Sequence, residues 1–256
     1  MVHSEMLVVL ALGAGLAGFI DTIAGGGGLI TLPLLLLSGL PPVAALATNK
    51  LQGSFGTLVA TLTLLTRRQI VLAEIGLGFA MAFCGGVIGA LAVRWIQPKA
   101  LDVLIPIVLG GIALYFLFAP NAGEIAGRAR MAPALYRQLA VPIIGFYDGF
   151  FGPGTGSFFA LAGVALRGET LLRATAFAKV LNFASNLAAF LIFLLAGKVV
   201  WLAGAAMVCG QILGAYAGAH AVIRGGARLI RPLIVVICFV MLARYAWQKG
   251  LFSGTL

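Results

Sequence analysis

The sequence predicts an all-α integral membrane protein, and three observations favour that class. Of the 256 residues, 62% are hydrophobic and 9% are charged, which leaves too little polar surface for a soluble globular domain. Windows without a charged side chain recur along the chain, and most reach the ~20 residues that span a bilayer as a helix. The apolar runs are continuous and do not alternate with polar residues, so we expect helices and not a barrel. The prediction is one transmembrane domain over residues 1–256.

An internal repeat divides this domain in two. The pattern Gly-Phe-x-Asp at residues 18–21 recurs at residues 145–148, a displacement of 127 positions. Farther along the chain the displacement is 129, and at that spacing Lys50 corresponds to Lys179. Such a duplication predicts two copies of one structural unit.

Each copy is predicted to consist of one long broken segment followed by three ordinary helices. The first repeat covers about 5–120 and the second about 134–250, and the connector 121–133 has the charge, glycine and proline of a short loop. The segments of the first repeat are expected at 5–38, 43–66, 70–93 and 100–119. Those of the second repeat are expected at 134–166, 170–196, 199–222 and 229–248.

The distribution of basic residues predicts how the broken segments lie in the membrane. If both segments cross the bilayer, the loop Lys and Arg divide almost evenly between the two faces. If both return to the side from which they came, as re-entrant hairpins, one face carries most of them, in agreement with the positive-inside rule. The residues on that face are Arg67, Arg68, Arg128, Arg130, Arg137, Arg167, Arg173, Arg224, Arg228 and Arg231. Each repeat then crosses three times, which predicts two inverted repeats with both termini outside the cytoplasm.

Glycines mark the turns of the two expected hairpins. Residues 25–28 are four consecutive glycines, and residues 151–156 read FGPGTG. Glycine is poor in a helix interior, so both stretches predict an unwound turn with exposed amide groups. At membrane depth such backbone persists only beside protein or a wet cavity, and the helices that follow would point their N-termini at an anion. The predicted backbone ligands are Gly26, Gly27, Gly28, Gly154, Thr155 and Gly156. Close packing of helices through small residues is the alternative.

Two lysines lie deep inside predicted helices. Burying Lys50 or Lys179 there costs at least about 2.5–3.5 kcal/mol, so each lysine requires a partner or a function. Polar residues accompany both lysines at helical spacing, and two such faces would line a positively charged cavity. The side chains predicted to bind a substrate are Asn49, Lys50, Gln52, Lys179, Asn182 and Asn186. The alternative is a structural ion pair within each repeat, Lys50 with Asp21 and Lys179 with Asp148.

The two aspartates are candidates for proton coupling. Asp21 and Asp148 could instead bind a cation, an alternative that the two nearby lysines weaken. No metal site and no cofactor are predicted, because Cys84, Cys209 and Cys238 lack the spacing of metal ligands. The net charge of +10 does not indicate nucleic acid, since the basic residues are scattered in pairs at the ends of apolar runs.

The two segments that carry these residues resemble a known family. They read GFIDTIAGGGGLITLPLLLLSGLPPVAALATNK at 18–50 and GFYDGFFGPGTGSFFALAGVALRGETLLRATAFAK at 145–179. This pair of segments resembles the sulfite exporter TauE/SafE family, also known as the 4-toluene sulfonate uptake permease family. The resemblance extends over nearly the full chain. The resemblance implies a plasma-membrane permease that moves sulfite, small organosulfonates or related organic anions, coupled to the proton gradient. One departure is AFAK at 176–179, where the first repeat has ATNK, so the symmetry of the expected site is incomplete.

The residues themselves suit an oxyanion, because lysines, side-chain amides and exposed backbone N–H groups are all donors. We therefore expect a secondary transporter of sulfite or a small organosulfonate in the bacterial inner membrane, with alternating access around a site at the midplane. Its expected partners are the anionic substrate and membrane lipid, and the sequence allows a homodimer. The alternatives are an anion channel, a cation carrier that uses the aspartates, or an intramembrane enzyme. The enzyme is disfavoured because the sequence offers no constellation of nucleophile and base.

Overall fold

A computed structural model describes residues 4–71, 74–93, 110, 114, 115, 117, 118 and 125–248. Every regular element in these residues is a helix, which confirms the predicted all-α class. The helices are α1 Ser4–Ala24, α2 Gly28–Leu37, α3 Pro42–Thr66, α4 Gly76–Ala92, α5 133–150, α6 Thr155–Arg167, α7 Leu171–Leu195 and α8 Trp201–Gln248. Helix α5 is a continuous run of Pro133–Leu135, the π-helical turn Tyr136–Ala140, and Val141–Phe150.

These bounds agree with most of the predicted segments. The helix expected at 100–119 lies outside the described residues except for a few isolated positions. Two separate helices were expected at 199–222 and 229–248. In the structure they follow each other without a loop as α8, which is kinked at the non-helical residue Gly226. By length and composition, three helices of the described residues could cross a membrane: Ser4–Ala24, Leu171–Leu195 and Trp201–Gly226.

Both broken segments are interrupted where the glycines are. The chain between α1 and α2 turns at Gly25 with a φ of 77°, and the chain between α5 and α6 turns at Gly152 with a φ of 96°. Only glycine adopts such angles without strain, so these two residues end the helices before them. After each turn the chain folds back. Leu34 of α2 contacts α1 at Gly13, and the Phe158 ring of α6 lies 4.8 Å from the Tyr147 ring of α5.

Helices of the first repeat pack mainly against helices of the second. Helix α1 packs on α8, α4 packs on α5, and α3 and α7 lie against each other in the centre. Glycines permit the first two contacts, because a side chain would clash at either place. A Cβ at Gly218 would lie 2.7 Å from the carbonyl oxygen of Phe19, and a Cβ at Gly89 would overlap the carbonyl oxygen of Phe146. At both positions the absence of a side chain lets the two backbones approach closely. The two contacts join positions that correspond under the displacements of 127 and 129 residues.

Candidate functional site

The site is a polar cavity at the meeting point of both broken segments and the two central helices. It contains about 350 Å³ of space between atoms, including the part open to solvent. Its lining residues are Asp21, Gly27, Gly28, Asn49, Lys50, Gln52, Gly53, Thr57, Asp148, Gly152, Asn182, Asn186 and Gln211. Nine of these were expected at the site or as its proton carriers: Asp21, Gly27, Gly28, Asn49, Lys50, Gln52, Asp148, Asn182 and Asn186.

Five expected ligands do not line the cavity: Gly26, Gly154, Thr155, Gly156 and Lys179. The tips of the two broken segments contact each other instead. A Cβ at Gly156 would lie 2.5 Å from the Cα of Gly25, and the hydroxyl of Ser157 donates to the carbonyl oxygen of Ala24. Because these turns are packed together, their amide groups do not all face the space where a ligand would bind.

The first ion pair joins Lys50 to Asp148. Its Nζ–Oδ1 distance is 2.8 Å, and the exposed fractions of the two side chains are 1% and 2%. The same carboxylate accepts hydrogen bonds from the hydroxyls of Thr155, at 2.9 Å, and Ser185, at 2.6 Å. The ammonium of Lys50 also donates to Oδ1 of Asn186 at 3.1 Å. Three donors therefore compensate a carboxylate that is buried almost completely.

The second ion pair joins Lys179 to Asp21. Its Nζ–Oδ2 distance is 3.2 Å, and the ammonium also donates to the backbone carbonyl oxygen of Asp21. The other carboxylate oxygen accepts from the N–H of Gly27 at 3.0 Å, at the beginning of α2. The Asp21 side chain is 14% exposed, while that of Lys179 is 1% exposed. This carboxylate has fewer side-chain donors than Asp148 and faces the cavity.

The alternative in which each lysine pairs within its own repeat is wrong about the partners. Lys50 pairs with Asp148 and Lys179 pairs with Asp21, so both ion pairs cross from one repeat to the other. The reason lies in the packing, since the turns of the two broken segments contact each other at Gly25 and Gly156, which brings the aspartate of each repeat to the lysine of the other. The protein's own carboxylates also receive donors at the beginnings of α2 and α6, positions that were expected to receive an anion from outside.

Side-chain amides form the rest of the polar wall. Oδ1 of Asn49 accepts from Nε2 of Gln52 at 2.8 Å and from the hydroxyl of Thr31. On the opposite helix, Nδ2 of Asn186 donates to Oδ1 of Asn182 at 2.7 Å. Because neighbouring groups hold these amides, their remaining polar atoms have fixed directions, as a selective binding site requires.

Four lining residues were not among the expected ligands: Gly53, Thr57, Gly152 and Gln211. Thr57 follows Lys50 by seven positions and shares its helix face, so helical spacing could have revealed it. Gln211 is a polar residue in the apolar helix α8, and its counterpart in the first repeat is Ala82. A search based on the repeat therefore gives no signal for Gln211, although an amide inside an apolar span is such a signal.

A second polar cluster lies outside the cavity, before α4 and around the beginning of α7. The guanidinium of Arg173 pairs with the carboxylate of Glu74 at 2.8 Å, and both side chains are about half exposed. Burial raises the pKa of Glu169 above its ordinary value, and the guanidiniums of Arg173 and Arg167 oppose that shift. This cluster belongs to the surface of the protein and not to the cavity.

Apolar helices of membrane-spanning length that surround a polar, charged cavity define the class of membrane transport proteins. Relatives of this chain belong to that class. A "Probable membrane transporter protein" of Haemophilus influenzae is 45% identical over 248 residues, which cover 97% of each chain. The "Probable membrane transporter protein YfcA" of Escherichia coli K12 is 47% identical over 249 residues, which cover 97% of this chain and 93% of the relative. No solved structure matches the chain.

The family model described as "Sulfite exporter TauE/SafE" matches residues 10–245. The chain therefore belongs to the sulfite exporter TauE/SafE family. Together with the apolar helices and the named relatives, this identifies it as a membrane-embedded transporter.

Proposed function

We propose that this chain is a secondary transporter that binds a small oxyanion, sulfite or an organosulfonate, in the cavity between its two repeats. The observation that carries the proposal is the crossing of two buried ion pairs at this cavity. Charged side chains at membrane depth are expensive, and they are kept where a substrate or a proton moves. An ion pair that joins two repeats is also a contact that changes when the repeats move against each other.

The packing supports an architecture of two inverted repeats. The contact of Gly89 with Phe146 has an equivalent in the contact of Gly218 with Phe19. In the second contact each residue is replaced by its counterpart from the other repeat. In inverted-repeat transporters, alternating access arises when one repeat moves against the other around a fixed site. In the same proposal the protein lies in the bacterial inner membrane with both termini outside the cytoplasm.

Proton coupling follows from the charge of the cavity. Two lysines and two aspartates cancel formally, so the cavity has no net charge to attract an anion. Asp21 occupies one donor at the cavity that an anion would use, the N–H of Gly27, and it also pairs with Lys179, which does not line the cavity. A proton on Asp21 would release the N–H of Gly27 and leave one net positive charge among the four ionisable groups. Asp21 is the better proton carrier of the two acids because it is the more exposed.

The cation carrier is the weaker candidate. Each aspartate is bonded to a lysine ammonium, which would have to leave before a cation could bind the carboxylate. An anion would break the same ion pairs, but it would then accept from groups that are donors only, a lysine ammonium and the N–H of Gly27. Because a cation cannot bind such donors, an anionic substrate is favoured over a cationic one.

The test is transport by the purified protein in proteoliposomes. We expect saturable accumulation of labelled sulfite or ethanesulfonate that rises when a proton gradient is imposed. The variant Asp21→Asn should still bind the anion and should no longer respond to the gradient, because an amide does not take up a proton at neutral pH.

The matched control is Glu74→Gln, which neutralises an acid in the exposed pair outside the cavity. This variant should respond to the gradient as the wild type does. Flux that never exceeds equilibration would identify a channel. A gradient response that persists in Asp21→Asn would remove Asp21 as the proton carrier, and accumulation of cations in place of anions would overturn the proposal.

A further inference from the structure

Two buried amide oxygens at the cavity have no hydrogen-bond partner among the residues that the structure describes. They are Oε1 of Gln52 and Oε1 of Gln211, and the two residues are only 2% and 3% exposed. Both residues line the cavity that contains Lys50. A buried acceptor without a partner costs about 1–3 kcal/mol, so a protein rarely keeps two of them at one place without a use.

The position of Gln211 is set by glycines on two neighbouring helices. A Cβ at Gly56 of α3 would lie 2.8 Å from the amide carbon of Gln211, and one at Gly18 of α1 would lie 3.1 Å from it. The side chain therefore passes through a gap that exists only because both residues lack a side chain. Within the part of the chain that the structure describes, its Oε1 accepts no hydrogen bond. The packing holds this amide at the cavity without giving its oxygen a partner there.

Gln52 is oriented in a different way. Its Nε2 donates to Oδ1 of Asn49 at 2.8 Å and to the hydroxyl of Thr31 at 3.3 Å. These bonds use the donor side of the amide and leave the acceptor side free. The cavity thus presents the Lys50 ammonium, which already donates to Asp148 and Asn186, and two glutamine acceptors without a partner among the described residues. A simple anion, which has only acceptors, could bind the ammonium but would leave both glutamine oxygens unpaired.

We propose that the ligand of this cavity is a small anion that also carries N–H or O–H donors, and that Gln211 and Gln52 accept from them. This inference rests on the proposed function, because it specifies the substrate class of the same site. A site built to hydrogen-bond a hydroxyl or amine discriminates against the analogue without it, since its own buried polar atoms then stay unpaired. Gln211 is accordingly a specificity-determining residue.

The experiment uses two pairs of probes that differ by one group of similar size. The first pair is 2-hydroxyethanesulfonate and propane-1-sulfonate, and the second is 3-hydroxypropanoate and butanoate. Binding to the purified full-length protein is measured by calorimetry and by thermal stabilisation. In at least one pair we expect the hydroxylated member to bind about fivefold to tenfold more tightly, the range that one or two neutral hydrogen bonds supply.

Variants then locate the discrimination. Gln211→Met keeps the length of the side chain and removes the acceptor, so the ratio within the pair should fall to about one while the affinity for the unhydroxylated probe is kept. Gly56→Ala should have the same effect, because its Cβ would displace the amide of Gln211. The matched control is Thr61→Val, which removes another unpartnered buried oxygen that does not line the cavity. It should leave the ratio unchanged.

The outcomes separate the inference from the function on which it rests. Equal affinity for both members of each pair in the wild type would overturn the inference, because the two oxygens would then be satisfied by water, and would leave the anion transporter intact. A preference that survives in both Gln211→Met and Gly56→Ala would overturn the role of Gln211. Failure of all four anions to bind would overturn the inference, and failure of sulfite to bind in the same assay as well would overturn the proposed function.

Discussion

The two ion pairs at the cavity come from corresponding positions of the two repeats and differ in their surroundings. Asp148 is 2% exposed and accepts from two hydroxyls besides its lysine, whereas Asp21 is 14% exposed and accepts from one backbone N–H. The hydroxyls belong to Thr155 and Ser185. Their counterparts in the first repeat are Gly28 and Gly56.

Two sequence differences between the repeats therefore distinguish the carboxylates. Asp148 has a full set of hydrogen-bond donors, whereas Asp21 has lost two of them and is more exposed. The hydroxyl of Ser185 donates to Asp148, and the corresponding residue of the first repeat, Gly56, has no side chain. The side chain of Gln211 fills the space beside Gly56. A duplicated unit can thus keep one copy of an ion pair for structure and adapt the other for proton exchange. The difference lies in the neighbouring side chains and not in the charged residues themselves.

The largest expected effect compares the two lysines. Lys50→Met leaves Asp148 buried without its counter-ion and should lower the free energy of unfolding by about 3–5 kcal/mol. Lys179→Met should lower it by about 1–3 kcal/mol, because Asp21 keeps its N–H donor and faces the cavity. Chemical denaturation in detergent measures both losses. The double variant Lys50→Met/Asp148→Asn should recover most of the first loss, and equal losses for the two lysines would contradict the asymmetry.

An intermediate effect is expected for the hydroxyls. Ser185→Ala removes a 2.6 Å hydrogen bond to the Asp148 carboxylate and should destabilise the protein by about 1.5–3 kcal/mol, as bonds to charged groups do. Ser54→Ala is the control, since Ser54 is also buried in a central helix and donates only to the backbone carbonyl oxygen of Lys50. The control variant should lower the free energy of unfolding by less than about 1 kcal/mol. If the control costs as much, the Ser185 bond has no special role.

The smallest effect is expected at the exposed pair of Arg173 and Glu74. Arg173→Ala should change the free energy of unfolding by less than about 1 kcal/mol, because water and salt screen two half-exposed charges. The change should shrink further as salt is added, whereas the losses at the buried pairs should respond little. Unfolding at low and high ionic strength tests the distinction. A salt-independent loss of several kcal/mol would place this pair among the structural contacts.

Sequence reasoning predicted the class and most helix bounds because hydropathy and glycine turns act locally. The α3 helix, for example, was expected at 43–66 and extends over Pro42–Thr66. It also found Lys50, Asn182 and most of the other lining residues, since polar groups inside apolar helices are rare and stand out. These signals depend on residues close together in the chain.

Sequence reasoning failed where contacts depend on how distant helices pack. The pairing of Lys50 with Asp148 and not Asp21 depends on how the turns of the two broken segments meet between the central helices, and neither spacing nor charge contains that information. Gln211 was missed for a related reason. Its access to the cavity depends on gaps at Gly18 and Gly56, which lie far from it in sequence.

The crossed ion pairs have a consequence for biosynthesis. When only the first 120 or so residues have left the ribosome, Asp21 and Lys50 are already in place, but their counter-ions, Lys179 and Asp148, have not yet been made. A nascent chain in that state carries two charged groups without their native counter-ions, and we expect it to stay with the insertion machinery until Lys179 has been made. Cutting the gene at the connector should yield fragments that are stable only when they are expressed together.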